Sequence, residues 1–157
     1  MMPALSSSPS LGSRIRHTVF QFVALAERIP NDLIAVFARV SVAAIFWMSG
    51  QTKIDGFHLS ENAITLFNED YKLPLVDPVV AASLAAIAEH VFPILLALGF
   101  ASRLSALALL GMTAVIQVFV YPGAWPTHGV WATALLFILA RGPGAFSLDA
   151  LIAKHYR

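Results

Sequence analysis

The sequence contains no cysteine, which excludes a disulfide framework, a thiolate metal site and a thiol nucleophile. Charge is almost as scarce. Only 12% of the 157 residues are Asp, Glu, Lys or Arg, about half the share found in soluble domains. A chain this short folded in water needs more polar surface than that, because so much of it faces solvent. The formal net charge is +1, and no basic patch, zinc-finger spacing or recognition-helix pattern accompanies it, so nucleic acid is excluded as a partner. HExxH, a P-loop and a glycine-rich strand-to-helix turn are all missing, and Gly142 and Gly144 belong instead to a GPG turn.

What the chain has is apolar residues in long runs, 58% of the total, on a length that predicts one domain. Four segments stand out: Leu33 to Gly50, Val79 to Leu98, Leu104 to Tyr121 and a shorter one from Trp125 to Ala140. An 18-residue helix covers roughly 27 Å, close to the hydrocarbon thickness of a bilayer. Pro93 inside the second segment predicts a kink, and Pro122 ends the third. A soluble bundle would need a polar face on every helix, and Ala81 to Ala88 or Ser105 to Ile116 offer none. The expected fold is therefore all-α, a bundle of four transmembrane helices over residues 31–152 with short interfacial helices and lipid as its surroundings.

The ends and connections follow from composition. Met1 to Ser13, with its two prolines and five serines, reads as a disordered tail, and residues 153–157 as a C-terminal tail. Residues 14–30 resemble the start of a secretory signal, yet no small-x-small site closes the stretch, so an amphipathic helix at the interface is expected. With both termini cytoplasmic, that side carries Arg14, Arg16, Arg28, Arg103, Arg141, Lys154 and Arg157, against Lys53 and Lys72 on the other. This asymmetry sets the orientation, N and C termini inside, in a multi-pass plasma-membrane protein. Trp47, Tyr121 and Trp125 fall at the outer edge as an aromatic belt. In the outer connection, Thr52 to Pro78, Ser60 is a plausible N-cap for a stretch whose Leu59, Ala63, Leu66 and Phe67 would rest on the membrane surface. Ser147 is expected to cap a short C-terminal helix.

Polar residues inside the spans carry the functional content, because a charge in hydrocarbon needs protein, water or an opposite charge beside it. Arg39 and Glu89 are complementary in sign and predict each other as partners. Such a pair reads either as a proton relay or the wall of a small-molecule site, or as a buried ion pair that sets helix register. His90 points about 100° away from Glu89 around the helix. Gln117 and His128 flank the Pro122 to Pro126 turn and would share an outer pocket with Trp47, Gln51, Lys53 and Trp125, or form an interhelical hydrogen-bond network. Axial haem ligation by His90 and His128 is disfavoured, since the helical rise puts them at different depths.

Three stretches together resemble the DoxX-like membrane proteins. RVSVAAIFWMSGQTKI (Arg39 to Ile54) is similar to the family's first-helix signature, with Ser49, Gly50 and Lys53 in its closing element. AEHVFPILLALGFASRLSAL resembles its acidic helix through Glu89, Gly99 and Arg103. WPTHGVWATALLFILARGPGAFSLDAL resembles its last helix and GPG, Ser-Leu-Asp ending through His128, Gly142, Gly144, Ser147, Leu148 and Asp149. His90 stands where many relatives have an apolar residue. The resemblance covers residues 33 to 152 and implies a bacterial inner-membrane subunit beside a redox or stress-response system, with relatives linked to quinone-coupled thiosulfate oxidation, to methylamine-dehydrogenase maturation and to thiol stress.

On this basis the expected function is to anchor a partner protein or to bind a quinone-like molecule between helices, with Arg39, Glu89, His90, Gln117 and His128 as candidate binding residues. A non-catalytic assembly or scaffold protein and a small permease built from several copies are the alternatives. A protein partner or a second copy of the chain is expected in each case. No catalytic residue and no metal site is assigned, and the sequence names no cofactor.

Overall fold

A computed structural model describes residues 11–156; the expected tail falls mostly outside this range, as does Arg157. The chain divides into two compact units, the first ending at Asn31 and the second starting at Asp32. In the first, α1 (Leu11–Ala26) is a single helix that starts inside the expected tail. Leu11, Ile15, Val19 and Phe22 recur at three- and four-residue steps and share one exposed apolar face.

The second unit is built on α2 (Asn31–Gln51), α4 (Pro78–Leu98), α5 (Ser102–Val115, prolonged by a π turn through Val120) and α6 (Trp125–Arg141). All four contribute to one core, where Val42 and Phe46 meet Leu96, Ala106, Leu109, Leu135 and Ile138. The outward side chains are apolar as well, Phe37, Leu84, Leu107 and Val130 among them, so none of these four helices has the solvated face of a soluble bundle. Among the described residues three helices are long and apolar enough to cross a membrane: Asn31–Gln51, Pro78–Leu98 and Ser102–Val120. At 17 residues, α6 reaches only about 25 Å. Among the described residues the fold is all-α apart from one small hairpin.

Local chemistry sets the boundaries. Asp77 caps α4 by accepting from the N–H groups of Val79 and Val80, Pro78 occupies the first turn, and Gly99 ends the helix in the left-handed region at φ 71°. The helix continues through Pro93, which removes the ladder donor for the Glu89 carbonyl.

The connection between α2 and α4 holds a hairpin, β1 (Ile54–Asp55) with β2 (His58–Leu59), turning at Gly56 with φ 60°. It is followed by α3 (Glu61–Leu66) and a π turn, Phe67–Tyr71. Ser60 caps α3 as expected, its Oγ accepting from Ala63 N at 3.1 Å. The surface placement of this stretch is corrected. Ala63 and Phe67 are buried, and Phe67 and Tyr71 pack on Ala81 and Ala82 of α4 with Leu59 and Leu66 beside them. The apolar face finds protein to cover, so it does not need lipid.

Candidate functional site

Helices α2 and α4 approach closely at Gly50. A Cβ there would lie 2.9 Å from His90 Cε1 and 3.1 Å from Glu89 Cβ, so the absent side chain lets two polar residues of α4 reach the end of α2. Just past that end the chain turns back, and Lys53 brings its ammonium to 2.6 Å from Glu89 Oε2. Both side chains are buried, at 4% and 1% exposure. Ser49 joins them: its hydroxyl donates to Glu89 Oε1 at 3.2 Å, and its Oγ and carbonyl accept from Lys53 Nζ at 3.1 and 3.5 Å.

The expected partnership of Arg39 with Glu89 is therefore replaced by Lys53 with Glu89. Side chains on a helix tilt toward its N-terminus. Because α2 and α4 run in opposite directions, Arg39 leans to one end of the bundle and Glu89 to the other. Arg39 donates instead to the carbonyls of Ala97, at 3.3 Å, and Phe146, at 2.6 Å. Ala97 lies roughly 12 Å beyond Glu89 along α4.

Around Arg39 the contacts run to backbone. Gly99 leaves room for its guanidinium and for Ser147, both of which a Cβ would strike. Asp149 of α7 (Leu148–His155) accepts from Ala101 N at 2.8 Å and Ser102 N at 2.9 Å, capping α5 from a distant part of the chain. In return Asp149 N donates to Gly99 O at 2.8 Å. Asp32 accepts from Ala145 N at 2.8 Å, beside Gly144 at φ 83°. Ser147 caps α7 through Ala150 N, as expected.

The remaining candidates form separate pairs. His90 Nδ1 lies 2.6 Å from Ala86 O. A carbonyl only accepts, so Nδ1 carries the proton and Nε2 accepts from Gln51 Nε2 at 2.8 Å. Trp47 meets the same imidazole edge-on, 5.0 Å between ring centroids. Both His90 and Glu89 thus face α2. Buried His128 donates from Nδ1 to Gln117 Oε1 at 2.6 Å, and Gln117 Nε2 donates to Pro122 O at 2.7 Å. The expected single outer pocket is thereby divided: Trp47 and Gln51 go to His90, Lys53 goes to Glu89, and Gln117 and His128 line a groove of about 220 Å³ with Trp125.

Of the five candidates, Glu89 lines the cavity with ring-sized apolar walls. About 410 Å³ lies between α4, α5 and the connection, walled by Phe67, Leu73, Ala85, Met112 and Ile116, with Tyr71 and Glu89 as its polar groups. Burial, with help from the charges of Glu89 and Tyr121, pushes the Tyr71 hydroxyl up to about 12, so at neutral pH it is a donor as well as an acceptor. Ser49 and Tyr71 were not among the expected site residues, and Lys53 was expected in the outer pocket with Gln117 and His128 rather than on Glu89. Lys53 had a signal, a lysine just beyond a helix end within reach of a buried acid.

The family model described as DoxX matches residues 34–122, ending before α6 and the GPG turn. Neither the curated proteins nor the solved structures contain a match to the chain.

Proposed function

The chain belongs to the DoxX family, and from that membership and the cavity beside Glu89 we propose a multi-pass subunit of the bacterial inner membrane that supports a redox or stress-response system by holding a quinone-like ring between α4 and α5. In this reading α6 is a fourth span, completed by the Pro122–Ala124 turn or by local thinning of the bilayer. Both termini are cytoplasmic. Lys53, paired inside the protein, drops out of the outer charge tally, which strengthens the positive-inside asymmetry.

One observation carries the reading: a cavity of about 410 Å³ has apolar walls and includes buried Glu89 in its lining. That volume lies in the range of small-molecule sites, which combine apolar walls with a few placed polar groups. Leu84 and Val115 on its rim are exposed, so a hydrophobic ligand enters from the lipid. Glu89 provides the polar contact, Arg39 holds register at the other end, and the Gln117 and His128 groove is a separate polar point. Protein extracted with native lipids is expected to retain quinone, or to change its tryptophan emission when quinone is added. Absence of both in mild detergent removes the reading.

A scaffold role has one observation in its favour. Phe57 at the hairpin tip and Leu75 before α4 are fully exposed, and Leu75 adopts φ 67°, a conformation a leucine rarely takes. If the connection docks a partner protein, Phe57→Ser with Leu75→Ser releases that partner from the affinity-purified complex and leaves quinone retention intact.

A further inference from the structure

The chemistry at the polar end of the cavity is one-sided. An ionised carboxylate accepts hydrogen bonds and donates none. Glu89 meets an ammonium at Oε2 and a hydroxyl donor at Oε1, both of which favour its charged, accepting form against the cost of burial. The Lys53 ammonium lies 2.6 Å from Glu89 Oε2 and donates to Ser49 Oγ and Ser49 O, and the Ser49 hydroxyl donates to Glu89 Oε1, while Oε2 itself receives no hydrogen bond among the described residues. The Tyr71 hydroxyl both donates and accepts, so it does not distinguish one kind of ligand atom from the other.

The carbonyls of an oxidised quinone are acceptors. Set against Glu89, such a carbonyl leaves two buried acceptors facing each other, and a site built to bond a hydroxyl rejects the analogue that lacks one. A hydroquinone hydroxyl supplies the missing proton. Resting on the reading of this cavity as a quinone-type site, we propose that it selects the reduced, hydroxyl-bearing form of the ring. Glu89 is the selecting residue, and Lys53 and Ser49 are positioning residues whose contacts favour its ionised carboxylate. The selectivity is one of binding and requires no electron transfer by this chain.

The test uses the full chain in lipid nanodiscs under anaerobic conditions, with equilibrium binding of a short-tailed benzoquinone and of its hydroquinone measured separately. The wild type binds the hydroquinone tighter by roughly tenfold or more, the worth of one hydrogen bond to a charged group. Glu89→Gln places an amide that donates as well as accepts, and the ratio falls to about one or inverts. If that variant does not accumulate, Lys53→Met with Glu89→Gln presents the same amide without a stranded ammonium. Equal binding of both forms by the wild type, or an undiminished ratio in the glutamine variants, overturns the selectivity and leaves the cavity reading standing. Failure of the wild type to bind either form overturns the cavity reading itself.

Discussion

The two ends of the bundle solve the same problem differently. At the Arg39 end, polar side chains bond to main chain: Arg39 to the carbonyls of Ala97 and Phe146, Asp149 to the amides of Ala101 and Ser102, Asp32 to the amide of Ala145. At the Lys53 end, side chains bond to side chains, Lys53 with Glu89 and Ser49, Gln51 with His90, Gln117 with His128. Main-chain partners are fixed in place and cannot change protonation. Side-chain networks exchange partners and protons. The first arrangement suits a joint, and the second suits a site, which is where the cavity lies.

The comparison is broken most directly by removing one charge of the ion pair. Lys53→Met strands Glu89 in the interior and is expected to cost about 3–5 kcal/mol, the usual loss when one partner of a buried pair is deleted. Adding Glu89→Gln recovers most of it. Thermal unfolding in detergent reads both variants, and a double variant no more stable than the single would show that the pair does not act as a unit. A smaller loss, about 2–4 kcal/mol, is expected for Gly99→Ala, which combines a left-handed backbone with overpacking against Arg39 and Ser147. No second substitution in the cavity should rescue it, since the two ends share no partners.

The mildest test sharpens the comparison by titration. Tyr71 packs beside Glu89 and should stay protonated until pH approaches about 12, well after an ordinary tyrosine ionises. A phenol whose folded value is raised keeps its full contribution below the unfolded value of about 10 and loses it as pH climbs through the folded one. Tyrosinate absorbance should thus show a late-ionising group that is lost in Tyr71→Phe, and the contribution of this group to stability should fall over that alkaline window.

Much of this architecture is legible in the residues, because hydrocarbon leaves few options. The four apolar runs, the second ending at Leu98, and the caps at Ser60 and Ser147 follow from local rules. Partner choice does not. Depth alone places Arg39 and Glu89 at similar heights, and only the lean of side chains on antiparallel helices separates them. Lys53 looks like a surface charge until the turn after Gln51 folds it inward. The apolar face of α3 reads as a membrane contact because its protein partner, Ala81 and Ala82 on α4, lies far along the chain. The role of Asp149 is hidden for the same reason.

The cap that Asp149 places on α5 also imposes a timetable. The amide of Ser102 waits for a carboxylate 47 positions downstream, and Arg39 waits for a carbonyl 107 positions downstream. At ordinary rates of translation those gaps correspond to roughly 2–9 s and 5–20 s. During that interval nascent α5 has no such cap, and Arg39 sits in the bilayer without its strongest acceptor. The segment carrying Phe146 and Asp149 closes the joint, so the joint cannot set before that segment has been synthesised.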